Sequence, residues 1–351
     1  MPVKKTRIKD IARMAGVSIG TIDRVIHDRG EVAEQTRELV KRILRETNYS
    51  PNLMAQALKS KKRVHLVTLL PAATEDNSFW KKHGTGMTRA LEELDPFPVA
   101  LSQITFDIQS EKDFVTKTGI VLDLKPDGVL LAPIFNSESI AFCSDLQKAN
   151  IPFVFIDGYI ENTGYLAYIG EDVFQSGRVA GQLTDMITPE NNDILVVNIA
   201  KNVHNVHHLE KRTEGFLSFF NNTGKNKGKK IILNIPDPLR KVIQSSIDDA
   251  FRLNPGISSI FITGSRSYLI APYLEKKGIN SINLIGYDLT DSNVKFLKSG
   301  ITRFLIGQRP EEQTYKGIKK LFDYLSLHRM PDQIEYLPVD IVTSENVDFF
   351  I

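Results

Sequence analysis

Two aspartates close apolar runs of the kind that make buried parallel strands: Asp157 ends FVFID and Asp288 ends LIGYD. Strand ends in a doubly wound sheet open onto the ligand crevice. The two carboxylates are therefore expected to project from different lobes towards one cleft, where each can accept hydrogen bonds from two vicinal hydroxyls. An acid and a base of an enzyme could also be built from such a pair, but no nucleophile motif, metal set or phosphate loop accompanies it, so binding without turnover is the expectation. His204, His207 and His208 in HNVHHLEKR would share a helical face, yet no cysteine or obvious carboxylate completes a metal set; solvent or effector contact is expected there, and no metal. The glycines of GTG at 84–86 lack a third partner and fall inside a helical pattern, which is not a dinucleotide fingerprint. No cofactor is expected.

The elements that must position these groups are legible from periodicity. From Val64 onwards apolar strands alternate with amphipathic helices, the mark of a mostly parallel, doubly wound α/β sheet. VHLVTLL, Val99 to Ile104, Gly128 to Ala132 and Phe153 to Ile156 make a first series of strands, separated by helices near Phe79 to Leu94, Ser110 to Leu122 and Ser137 to Ala149. ILVVNI, KKIILNI, SIFIT and INLIGY make a second, with helices near Val173 to Ile187, Leu209 to Asn221, Leu239 to Leu253 and Tyr268 to Lys277. Two series of similar length predict two Rossmann-like lobes in tandem, with a ligand between them. RFLIGQRPEEQTYKGIKKLFDYL is expected to cross back to the first lobe, and Glu335 to Thr343 to return to the second.

Ahead of the lobes, Thr6 to Gly30 reads as two short helices across a tight turn. Ile8, Ile11, Ala12 and Ala15 share one face, Gly16 supplies the turn, and Ser18 stands as the N-cap of a second helix whose Ile22, Val25 and Ile26 form another apolar stripe. Helices this short need a partner. A third over Glu34 to Thr47 offers Thr36, Leu39, Val40, Ile43 and Leu44. Ile19, Gly20, Thr21, Asp23, Arg24 and His27 remain on the outward face of the second helix, short or polar groups suited to a major groove. NLMAQAL, from Asn52 to Leu58, is a helix of about two turns, marginal in free solution.

Charge supports a nucleic-acid partner. The net charge of +2 hides 15 Lys and Arg against 7 Asp and Glu over residues 1–63, with 29 against 35 in the remainder. Basic charge is thus concentrated on the helical segment, as phosphate neutralisation requires. Cys143 is the lone cysteine and reads as a buried structural thiol. MPVKKTRIKD lacks an apolar signal core, and no run reaches the length of a membrane span, so the expected setting is cytoplasmic, away from membranes.

IKDIARMAGVSIGTIDRVI followed by NYSPNLMAQALKS resembles the DNA-binding headpiece and hinge of the lactose repressor (LacI/GalR) family. The chain beyond Val64 resembles that family's periplasmic-sugar-binding-protein-like effector domain, through IPFVFID, IGEDVFQSGRVAGQL, KRTEGF and LIGYD. The resemblance implies a headpiece over residues 1–50, a hinge over 51–63, and an effector-binding and dimerisation domain over 64–351. Ser18 and the outward face would read DNA, Leu58 matches the family's minor-groove leucine, and Asn52 and Lys59 fall beside it in the hinge. Asn77, Phe79 and Trp80 match an asparagine and two aromatics that hold a sugar, Arg212 matches the ligand arginine, and Tyr287 with Asp288 and Gln308 completes the expected effector set. Gly158 and Gly264 depart from ribose-binding relatives, which have arginine and asparagine there, and leave room for a bulkier, substituted or phosphorylated sugar. Two carboxylates against one guanidinium argue against a strongly anionic ligand and suit a neutral polyol. The implied function is a transcriptional regulator, expected to be a repressor, binding palindromic operator DNA under control of a small sugar. No leucine heptad follows Thr343, so a homodimer is expected. The rivals are a sugar-binding transport protein and, less favoured, a carbohydrate-active enzyme.

Overall fold

Ile11, Ala12 and Ala15 are buried along one side of the helix Ile8–Ala15, as their spacing dictates. The computed structural model describes residues 8–26, 30, 32–47, 57–58, 62–74, 79–200 and 207–351. Gly16, at φ +65°, ends that first helix. Its N–H bonds the carbonyl of Arg13 while that of Val17 reaches Ala12, the paired closure that a left-handed residue after a helix permits. Ser18 Oγ then accepts from the N–H of Thr21 at 3.1 Å and opens the helix Ile19–Ile26. Ile22 and Val25 from this helix, with Val40 and Ile43 from the helix Glu34–Glu46, complete one small core. Each large side chain fully buried there contributes about 1.5–3 kcal/mol. Ala57 and Leu58 are helical; Asn52, Lys59 and His27 lie outside the described residues.

The chain divides into two compact units, Met1–Ser60 and Lys61–Ile351. The described residues of the larger form twelve strands: β1 Val64–Pro71, β2 Val99–Phe106, β3 Gly128–Leu131, β4 Phe153–Ile156, β5 Ala167–Gly170, β6 Asp193–Ile199, β7 Lys230–Ile235, β8 Ile257–Ile262, β9 Asn283–Tyr287, β10 Thr302–Gly307, β11 Ile334–Tyr336 and β12 Asp340–Val342. They form two six-stranded sheets, ordered β2-β1-β3-β4-β5-β11 and β7-β6-β8-β9-β10-β12. All pairs are parallel except β10 with β12. Every residue of β3, β4 and β5 is buried, because helices cover both faces of a parallel sheet and the strands must be apolar throughout. The shared order of the first five strands in each lobe places the topological switch between its first and third strands.

The chain passes between the lobes at 170–173, 307–310 and 336–340. The helix Pro310–Leu327 lies on the first lobe, where Gly128 and Gly317 let it sit close to the sheet among Leu321, Leu325 and Leu130. β11 and β12 then finish one sheet each. One strand and one α-helix have no signal in the sequence periodicity. β5 is four residues long, too short for a period, and the helix Asp291–Lys298 is two turns whose Thr290 cap only its accepted bond from Asn293 reveals.

Candidate functional site

Asp157 and Asp288 occupy equivalent places, one residue beyond the fourth strand of each lobe, and both are in the left-handed region, at φ +67° and +68°. Aspartate tolerates that conformation better than most residues, and the reversal takes the chain out of the sheet. Both side chains are buried. Asp157 borders a cavity of about 110 Å³ with Gly158, Tyr159, Asp172 and His208. Asp288 borders another of about 280 Å³ with Phe79, Lys82, Thr290 and Gln308.

One glutamine joins the two strand ends. Gln313 Oε1 accepts from the N–H of Asp157 at 2.8 Å, and its Nε2 donates to the carbonyl of Gln308 at 2.9 Å. Gln308 in turn donates from Nε2 to both carboxylate oxygens of Asp288, at 2.9 and 3.1 Å. Its own Oε1 is buried without a partner among the described residues.

Arg212 is 1% exposed, and its donors are directed inwards. Nε and Nη2 donate to Glu171 Oε1 at 2.8 and 2.5 Å, Nη1 donates to the carbonyl of Thr263 at 2.7 Å, and the guanidinium lies 3.8 Å above the ring of Tyr287. Tyr287 is fully buried and its hydroxyl shares a 2.7 Å bond with Ser176. That placement makes Tyr287 a support for Arg212 rather than the effector contact expected from its neighbour in sequence. Glycines bring this arginine in. A Cβ on Gly177 would strike the carbonyl of Arg212, and one on Gly215 that of Phe174, so the helices Val173–Ile187 and His207–Thr223 cross backbone to backbone.

The buried charges perturb one another. Burial pushes the Asp157 carboxyl up to about 6, with Arg212 opposing and Glu171 adding. For Asp288 burial raises it to about 7, Arg212 and Gln308 pulling it back. Burial opposes the charge of Arg212, but Glu171, Tyr287 and Asp288 more than offset it, so the guanidinium holds its proton more firmly than usual.

Phe79 lines the larger cavity, edge-on to Trp80, and Trp80 stacks on His83 at 4.7 Å between centroids. His83 is fully buried, shares a 2.6 Å bond with Thr314, and is pushed down to about 3 by burial, which keeps it neutral. Asn77 and His204 lie outside the described residues. Among those described, no group of three His, Cys, Asp or Glu could hold a metal, and no helix is long and apolar enough to cross a membrane. Gly86, from the GTG run, is where the helix Phe79–Leu94 meets the carbonyl of Glu311, a packing role. Glu171 and Gln313 were missed in the sequence. Glu171 sits inside IGEDVFQ as an unremarked polar residue, and nothing local marks either as a partner of the cleft.

On the smaller unit, Ser18, Ile19, Gly20 and Arg24 are exposed, while Thr21 and Asp23 are half-buried. Leu58 is 49% exposed.

Two open, mostly parallel sheets joined by three crossings, with polar residues at their strand ends, define a bilobal α/β fold. Residues 67–328 match the model of the periplasmic binding protein domain, and residues 7–52 that of the bacterial regulatory proteins, lacI family. The chain belongs to the periplasmic binding protein domain family and, through its N-terminal helices, to the lacI family of bacterial regulatory proteins. It is similar to the ribose operon repressor of Lactococcus lactis, 29% identical over 60% of this chain and 60% of that repressor's length. It is also similar to the sucrose operon repressor of Lactococcus lactis, 24% identical over 81% of this chain and 83% of the relative. Among solved structures, a LacI transcriptional regulator from Bacteroides fragilis is 28% identical with a TM-score of 0.76, covering 83% of this chain and all of that one. A glucose-galactose binding protein from Geobacillus stearothermophilus, 17% identical with a TM-score of 0.72 over 82% of this chain and 99% of its own, shares the fold.

Proposed function

We propose that this lacI-family protein is a transcriptional repressor that binds palindromic operator DNA as a homodimer in the cytoplasm and responds to a small sugar or sugar derivative held between its lobes. Residues 1–50 read the DNA, 51–63 form the hinge, and 64–351 bind the effector and dimerise. The observation that carries this reading is the presence, on one chain, of a capped helix-turn-helix with an exposed second helix and of a cleft with equivalent aspartates on its two sides. The ribose and sucrose operon repressors to which the chain is similar support a sugar as the effector class.

The cleft binds rather than turns over its ligand: Glu171 is engaged with Arg212 and Asp288 with Gln308, and no nucleophile motif accompanies the carboxylates among the described residues. Asp157, Asp288 and Gln308 remain the effector contacts in this reading, with Phe79 as an apolar wall and Arg212 as their electrostatic partner. Band-shift titration against the upstream region of its own gene tests the proposal. Binding should weaken steeply between 50 and 200 mM salt, because each phosphate contact releases counterions, and a sugar from a monosaccharide and disaccharide panel should change it. Salt-independent binding, or none, would overturn the regulator reading; turnover of a glycoside would overturn the non-enzymatic one.

A further inference from the structure

Among the described residues, four Asp, Glu, Lys or Arg side chains are buried: Asp157 and Asp288, each bordering a cavity, and Glu171 and Arg212, whose charges act on both. Three acids face one base. Glu171 is the residue that changes the balance, since Asp157 and Asp288 alone against Arg212 would leave a site suited to a neutral polyol. The hydrogen bonds show the same imbalance. Arg212 gives three of its five N–H donors to Glu171 and the Thr263 carbonyl, and Gln308 gives Nε2 to Asp288. Buried acceptors also go unmet: among the described residues Glu171 Oε2 and Gln308 Oε1 have no partner. Asp157 accepts no side-chain or backbone bond at its carboxylate from the described residues. Buried acceptors without donors are costly unless a ligand supplies the hydrogens.

We infer that the effector is a sugar bearing a protonated amine, an amino sugar, whose ammonium group is received by Asp157 and Glu171 while its hydroxyls donate to Asp288 and Gln308. This deepens the proposed function and rests on reading the cleft as a sugar site. An ammonium group supplies three donors and one positive charge, and so meets both deficits at once. A metal ion is the other way to neutralise carboxylates, but no three of these residues come together as a metal group among the described residues. The space is present: a Cβ built on Gly158, next to Asp157, would meet nothing within 4 Å. Around Asp157 the cavity also carries Glu161, Asp172, His208 and Lys211, and Lys211 is paired with Glu214 at 2.8 Å rather than with Asp157. Arg266, near the strand ends of the second lobe, donates to the carbonyl of Ile199.

The test is calorimetry on the full chain, in an amine-free buffer, with D-glucosamine, D-galactosamine and D-mannosamine, their N-acetyl forms, and the parent hexoses. One of the amines should bind at least about tenfold more tightly than its parent hexose, and N-acetylation should remove that gain. Its affinity should rise from pH 5.5 to 7.5 as Asp157 gives up its proton, with proton release visible as a buffer-dependent heat. Glu171→Gln, which keeps an oxygen for Arg212, and Asp157→Asn should each weaken binding of the amine by a larger factor than binding of its parent hexose, so that the amine-to-hexose ratio falls towards one. The comparison of amine, N-acetyl and parent forms on the unmodified protein decides the matter even if a variant fails to fold. A parent hexose that binds as well as its amine, or an N-acetyl form that does, overturns the amine and leaves the sugar reading standing. Binding of none of the three series by a cooperatively melting protein overturns both.

Discussion

At Asp288 a single carboxylate holds Gln308 through both oxygens and faces the larger cavity. If it also accepts from two hydroxyls of a bound sugar, as the proposed function has it, removing it costs on the order of 1.5–3 kcal/mol, or roughly ten- to more than a hundredfold in affinity. Asp288→Ala is thus expected to lose the effector response in a band-shift assay while operator affinity without effector stays as in the parent protein. The same residue should leave a signature in stability. An aspartate in an unfolded chain titrates near 4, whereas burial raises Asp288 to about 7, so the folded state binds its proton more tightly. The stabilisation this gives is complete below about pH 4 and is lost as pH rises through about 7. The melting temperature of the ligand-free protein should fall between pH 6 and pH 8. Asp288→Asn should flatten that fall; an unchanged slope would show that Asp288 titrates elsewhere.

Between the helices Val173–Ile187 and His207–Thr223, packing is decided by what is absent. Gly177 and Gly215 let the two backbones touch, and the crossing sets the depth at which Arg212 reaches Glu171 and the ring of Tyr287. A methyl group at either glycine must force the helices apart or distort them, an overpacking cost of about 1–3 kcal/mol. Gly215→Ala should lower the midpoint of chemical denaturation and, by withdrawing Arg212, weaken effector binding in calorimetry. A variant with parental stability would mean that the crossing is looser than its geometry implies. Gly16 works differently: its left-handed conformation closes one helix and positions Ser18 to open the next, so a short turn replaces a loop.

For the molecule as a whole, the proposed function gives the two compact units different tasks, and regulation would then require a free-energy coupling between them. If the effector changes operator affinity by some factor, the operator must change effector affinity by the same factor. Leu58, about half exposed at the end of the first unit, is where such coupling would reach DNA. As a wedge in the minor groove it would kink the duplex. Leu58→Ala should then reduce operator affinity and bending, measured by fluorescence transfer between labelled DNA ends, without altering effector affinity. Unaltered bending would reduce NLMAQAL to a linker.

Periodicity alone carried most of the fold into view, because an apolar strand between helices is a local pattern and the order of such patterns fixes a doubly wound topology. It also exposed Asp157 and Asp288, since each is the first polar residue after an apolar run and needs no partner to be noticed. Short elements escaped it: β5 has four residues, all buried, and draws its identity from β4 and β11 on either side. The chemistry of the cleft escaped it further. Gln313 meets Asp157 across 156 positions of sequence and Arg212 meets Glu171 across 41, and no local pattern encodes either approach. Sequence therefore determined which groups stand at the strand ends, and tertiary structure decided which of them are already satisfied: Arg212 and Tyr287 turn inwards, and the acceptors of Glu171 and Gln308 are left open, because hydrogen-bond supply and demand is settled only when distant segments are packed together out of water.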